Sequence, residues 1–163
     1  MDTDTSNIED RFRPSGWLLE TQTALSAAID RFAVSRTNYT ATVLDLVARL
    51  RFAEGNTLRG VELGRQLSKT PGYVSRVIDQ AEHAGLVTRK PDPDDRRAQL
   101  ITLTTKGNRV FDEVAPHINA VLEHTIYTSL EEGEVRTLVR LLRKVADSAH
   151  QLLETGLDNQ SED

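Results

Sequence analysis

The chain contains no cysteine, which excludes disulfide frameworks, thiolate metal sites, cysteine nucleophiles and thiol redox sensing. No run approaches the apolar length of a membrane span, so no membrane association is expected. The opening MDTDTSNIEDRFRPSG is polar and acidic. With no apolar segment there, no secretory signal is expected, and the expected location is the cytoplasm. No GxSxG, phosphate-binding loop or dinucleotide fingerprint occurs, so no enzyme and no cofactor are expected. The four histidines (His83, His117, His124, His150) lack the paired i, i+4 spacing of metal ligands, and no metal is expected. His117 and His124, seven apart on one predicted helix, are the one alternative to that.

What is present is one domain's worth of chain. The 163 residues, 38% hydrophobic and 28% charged, match an ordinary compact domain. The net charge of −5 is unevenly spread: residues 57–106 hold nine Lys/Arg against six acids, a balance of +3, and the rest carries −8. A basic centre between acidic flanks suggests one surface that faces an anion.

Spacing gives the elements. Residues 1–13 and 154–163 are small, polar and acidic and are expected to be unstructured tails. After Pro14, Trp17, Leu18, Leu25, Ala28, Ile29 and Phe32 follow a helical period. Thr40 is positioned to cap a second helix carrying Val43, Leu46, Val47 and Leu50, ended by Gly55-Asn56. A short helix from about Gly60 to Leu67 follows. Thr70 is a good N-cap and Pro71 suits the first helical position. Val74, Val77, Ile78 and Ala81 then define a buried face, leaving Tyr73, Arg76 and Gln80, with Ser75 beside them, on the opposite face. Gly85 stops this helix. Leu86–Arg89 and 99–103 are β-prone, and the two prolines in the intervening 90–98 segment forbid a helix.

Helix, turn, helix and a hairpin with a charged tip describe a winged helix-turn-helix, mainly α with a small β-hairpin wing. The runs Glu62-Leu63, Val74-Ser75-Arg76-Val77-Ile78-Asp79, Gly85-Leu86-Val87-Thr88-Arg89, Asp92-Pro93-Asp94-Asp95-Arg96-Arg97-Ala98 and Leu103-Thr104-Thr105-Lys106-Gly107 resemble the multiple antibiotic resistance regulator (MarR) family of transcription factors. Arg59-Gly60, Gly64, Pro71-Gly72 and Ala81 depart from the usual pattern, and Pro116 is expected to kink the helix after the wing.

The resemblance implies a homodimeric transcriptional regulator acting on a double-stranded DNA operator. In that plan 14–153 is one domain, with a winged lobe at 37–107 between dimerisation helices at 14–36 and 108–153. Thr70, Pro71, Gly72, Tyr73, Ser75 and Arg76 are the recognition-helix candidates for the major groove. Lys90, Asp95, Arg96 and Arg97 are the wing candidates; Arg97 is assigned to the minor groove, Asp95 to holding it and Arg96 to phosphate. The bland alternatives are that Arg76 is an ordinary exposed arginine and that Asp95 and Arg97 merely stiffen a turn.

On the last helix Val135, Leu138, Leu142, Val145, Ala149 and Leu152 alternate spacings of three and four, a heptad seam suited to a second subunit. The resemblance also implies a small aromatic or phenolic anionic ligand between the lobes, with Trp17, Asp45, Arg76 and Arg89 as the candidate cleft. A structural place in the dimer core is the alternative for Trp17. Repression is expected ahead of activation because operator occupancy alone suffices for it. A winged helix used only for protein–protein contact is the rival in another class.

Overall fold

The computed structural model describes residues 5–95 and 98–156, excepting the side chains at 5–9, 11 and 154. The described residues form six α-helices and a three-stranded antiparallel sheet: α1 (Thr5–Phe32), α2 (Ala41–Phe52), β1 (Thr57–Arg59), α3 (Gly60–Leu67), α4 (Pro71–His83), β2 (Val87–Pro91), β3 (Gln99–Leu103), α5 (Thr105–Leu122) and α6 (Glu132–Thr155).

Two boundaries differ from the sequence expectation. The first helix begins at Thr5, so residues 5–13 are helical rather than an unstructured tail. Pro14 lies inside it; the ring's φ is compatible with a helix, and the carbonyl it leaves unbonded belongs to exposed Asp10, within reach of water. Ser15 Oγ donates to Phe12 O at 2.7 Å, satisfying a neighbouring carbonyl. At the other end, 154–155 complete α6 and Gly156 caps it; the remainder of the expected tail lies outside the described residues. Pro116 sits within an unbroken α5, and the departure from α-helical bonding comes later, in the π turn Glu123–Tyr127.

The winged lobe closes around one core. Val43, Leu44, Leu46, Val47 and Leu50 of α2 meet Leu63 and Leu67 of α3 and Val74, Val77, Ile78 and Ala81 of α4. Leu86, Val87, Ile101 and Leu103 cover it from the sheet, and Val110 and Val114 from α5. The expected apolar face of α4 is therefore the buried one.

The sheet has one strand more than expected. β3 is central, with β2 on one side and β1 on the other, Thr57 opposite Thr102 and Arg59 opposite Leu100. Three residues are too few to show a period, so β1 is defined by its partner strand.

The joints explain the Leu103–Gly107 motif. Gly85, at φ +72°, ends α4 with Leu86 N–H bonded to Ala81 O and Gly85 N–H to Glu82 O, both at 2.8 Å, a Schellman closure. Thr104 caps α5 by accepting from Gly107 N–H at 3.0 Å, while its hydroxyl donates towards Gly85 O at 2.8 Å. Lys106 Nζ donates to Ala84 O at 2.7 Å. Gly107 is buried; a Cβ there would stand 2.3 Å from Leu86 O. The motif therefore fastens the end of α4 to the start of α5.

Candidate nucleic-acid interface

The turn between α3 and α4 sets the exposed helix. Ser68 adopts a left-handed conformation, φ +51°, with its N–H bonded to Arg65 O. Thr70 occupies the N-cap position, but its side chain makes no capping bond; its carbonyl takes the N–H groups of Tyr73 and Val74, each at 3.0 Å. Thr70, Pro71, Gly72, Ser75, Arg76 and Gln80 are all exposed.

Tyr73 differs from its expected place on that open face. It is half-buried, its hydroxyl 3.2 Å from Thr42 Oγ1 of α2. The Lys69 ammonium and the Arg76 guanidinium lie 6.0 and 5.8 Å from its ring centroid. Cations at this distance are held by the ring quadrupole. Tyr73 thus braces α4 on α2 and positions two cations on the outer surface.

The wing runs beside this helix. Lys90 and Pro91 are exposed at the end of β2. Asp92 N–H bonds to Ala98 O at 3.1 Å, and Ala98 N–H to Asp95 O at 2.9 Å, closing the loop. Arg96 and Arg97, and with them the expected Asp95–Arg97 pairing, lie outside the described residues.

Asp92, which the sequence reading left unassigned, is the buried polar residue of the wing. Its carboxylate accepts from Asp94 N–H at 2.9 Å and from Arg59 Nε at 2.6 Å. The Asp94 backbone bond, aided by Arg59 and opposed by burial, holds its pKa below the usual carboxylate value. Nothing in the sequence names this pair, whose members stand 33 positions apart.

The structure does not join the expected cleft residues. Asp45 pairs with Arg49 at 3.1 Å, and Trp17 is 63% exposed. Arg76 stays over Tyr73. Arg89 is bound to Asp79 and lies 2.9 Å from Glu82, linking β2 to the C-terminal half of α4. Its Nε is off the hydrogen-bonding direction of Glu82, so that contact is electrostatic only. Among the described residues no hydrogen bond or ion pair connects Trp17, Asp45 and the two arginines.

A cavity of about 760 Å³ does open beside Arg89, lined among others by Arg65, Lys69, Val74, Ser75, Ile78 and Ile101. His150 and Leu153 of α6 border it. Glu62, on the neighbouring face of α3, is held below the ordinary carboxylate pKa chiefly by the Gln66 side-chain hydrogen bond.

Among the described residues no three His, Asp or Glu side chains gather as a metal site, and no helix is long and apolar enough to cross a membrane. His117 Nδ1 lies 3.4 Å from an Arg36 nitrogen, a neighbour that opposes a metal cation.

The dimer-seam candidates divide along the helix. Val135 and Leu138 are half-buried; Leu142, Val145 and Leu152 are exposed.

Comparison with known proteins agrees with this geometry. The MarR family model matches residues 40–98, from the cap of α2 to the end of the wing. The multiple antibiotic resistance protein MarR of Escherichia coli is 28% identical over 141 residues, spanning 86% of this chain and 96% of that protein. The chain is thus similar to the MarR family over its winged lobe. The Bacillus subtilis regulator YkoM is 34% identical over 92 residues, and the match spans 56% of this chain and 59% of that relative. A crystal structure of a mutant E. coli MarR complexed with operator DNA superposes with a TM-score of 0.68 at 27% identity, over 89% of this chain and 99% of the other.

Proposed function

We propose that this transcriptional regulator is a homodimeric repressor that binds a pseudo-palindromic DNA duplex and is released by a small aromatic anion. One observation carries the DNA reading. α4 buries Val74, Val77, Ile78 and Ala81 and turns Ser75, Arg76 and Gln80 outward beside a closed hairpin, as a helix entering the major groove requires. The operator complex of the E. coli relative supports it.

In this reading residues 37–107 are the DNA-binding lobe. Thr70, Pro71, Gly72, Ser75 and Arg76 meet base edges and phosphates, with Tyr73 bracing them. Lys90 and Arg96 meet phosphates, and Arg97, steadied by Asp95, enters the minor groove, whose negative potential attracts arginine. The helices on either side, 14–36 extended back to Thr5 and 108–153, form the dimer. The exposed apolar residues of α1 and α6, Trp17 and Leu142 among them, support this, since uncovered apolar surface of this extent marks an interface.

The ligand reading rests on the cavity beside Arg89. Its apolar walls suit a ring and its Arg65, Lys69 and Arg89 suit a carboxylate or phenolate. Occupancy would compete with Asp79 and Glu82 for Arg89 and so loosen the link between wing and recognition helix. Trp17, Asp45 and Arg76 do not line this cavity.

A duplex selected by the protein from a random-sequence pool tests the function. Contact with 6 to 10 phosphates predicts an affinity loss of about 10³ to 10⁵-fold between 50 and 200 mM salt. Arg97→Ala is expected to weaken binding by about 1 to 3 kcal/mol with the dimer intact. Failure to select any duplex would leave the fold as a protein–protein module.

A further inference from the structure

We propose that Arg59 is the positioning residue of the wing: through the nearly buried carboxylate of Asp92 it fixes the hairpin tip relative to the recognition helix. The inference rests on the DNA-binding reading above and assigns a role to a residue that does not itself meet the duplex.

Asp92 is 3% exposed, the one buried charged residue among those described. A carboxylate in that position is tolerated only when hydrogen-bonded and paired. Its cationic partner is Arg59, at 2.6 Å, and it also accepts from Asp94 N–H at 2.9 Å and from the Asp95 backbone. Asp92's own N–H closes the loop onto Ala98 O. The placement of Asp94 and of Ala98, on either side of the wing tip, therefore hangs on the orientation of Asp92.

Arg59 is suited to set that orientation. It ends β1, on the far side of β3 from β2, so its side chain ties the open end of the sheet together across the central strand. It also immediately precedes α3, whose far end turns into α4. A single side chain thus connects the wing tip to the helix pair that carries the outward-facing Arg76. Arg59 is itself half-exposed, so direct contact between its guanidinium and a phosphate is the competing role, and the experiment separates the two.

Arg59→Ala, Asp92→Asn, Arg59→Lys and the Arg59→Ala/Asp92→Asn double variant are compared with the full-length wild-type protein on the selected duplex. Positioning predicts that Arg59→Ala and Asp92→Asn each weaken affinity about tenfold, that the double variant is no worse than either single one, and that Arg59→Lys is intermediate. Protection of the flanking minor groove should fade while central major-groove protection remains. A loss in Arg59→Ala with none in Asp92→Asn, or losses that add in the double variant, would overturn the proposal in favour of a direct phosphate contact.

A measurement without DNA keeps the two readings apart. Amide exchange at Asp92 and Ala98 should accelerate about tenfold or more in Arg59→Ala as the loop opens locally. Unchanged exchange refutes positioning even if the protein binds DNA. Accelerated exchange in a protein that selects no duplex refutes the DNA reading and leaves the anchoring of the loop standing.

Discussion

The winged lobe and the two long helices that flank it are built to different standards of completeness. In the lobe every helix buries an apolar face, and Leu46, Leu50 and Leu63 are fully enclosed. In α1 and α6 not one described residue is buried, and Phe12, Trp17, Leu19 and Val145 are each more than half exposed. The hydrophobic effect acts on both regions, but only the lobe satisfies it within one chain. The lobe is thus a finished unit, and the flanking helices leave apolar faces uncovered, which the proposed dimer would enclose.

The largest expected effect tests the lobe's completeness. Gly107→Ala places a methyl 2.3 Å from the Leu86 carbonyl and 2.5 Å from a Leu103 methyl, where neither backbone nor core can yield cheaply. A loss of about 3 kcal/mol in unfolding free energy is expected, measured by urea denaturation. Wild-type stability would show that the joint between α4 and α5 is looser than described.

An intermediate effect tests the other half of the comparison. Leu142→Asp puts a charge into the α6 seam, where a second helix would have to desolvate it. Association should weaken by about 2 kcal/mol or more, read by sedimentation equilibrium, with the circular dichroism of the lobe unchanged. Unaltered association would place the interface elsewhere; loss of the folded lobe would show that α6 supports it within the chain.

The smallest effect sharpens the lobe itself. Gly64 lies inside α3 with room for a methyl, the nearest atom being Val74 Cγ2 at 3.7 Å. Gly64→Ala should stabilise by about 0.5 to 1 kcal/mol, seen as a higher midpoint in thermal melting. A destabilised variant would mean that α3 and α4 sit closer than this contact allows.

The same division governs how much was legible in the sequence. Helix periodicity, Thr40, Gly85 and the two β-prone runs delimit α2, α3, α4 and the wing because each signal acts within a few residues. β1 escapes because Thr57–Arg59 is a strand only by virtue of β3. The helical state of residues 5–13 escapes because Pro14 reads equally as a first residue or as a tolerated interior one. At the site, the outward placement of Ser75 and Arg76 follows from period alone. The retreat of Tyr73 towards Thr42, the Arg59–Asp92 pair and the hold of Asp79 and Glu82 on Arg89 depend on contacts between distant segments that no local pattern encodes. The expected Trp17–Asp45–arginine set shows the converse: Asp45 has a partner one turn away in Arg49, and local pairing takes precedence.

Hydroxyl-radical footprinting on the selected duplex tests the central claim, that a finished lobe is presented twice by an interface of α1 and α6. The account predicts two protected patches related by a dyad, their centres roughly 10 bp apart or a whole multiple of that turn, each flanked by minor-groove protection that disappears in Arg97→Ala. A single unsymmetrical patch, or protection insensitive to Arg97, would contradict it.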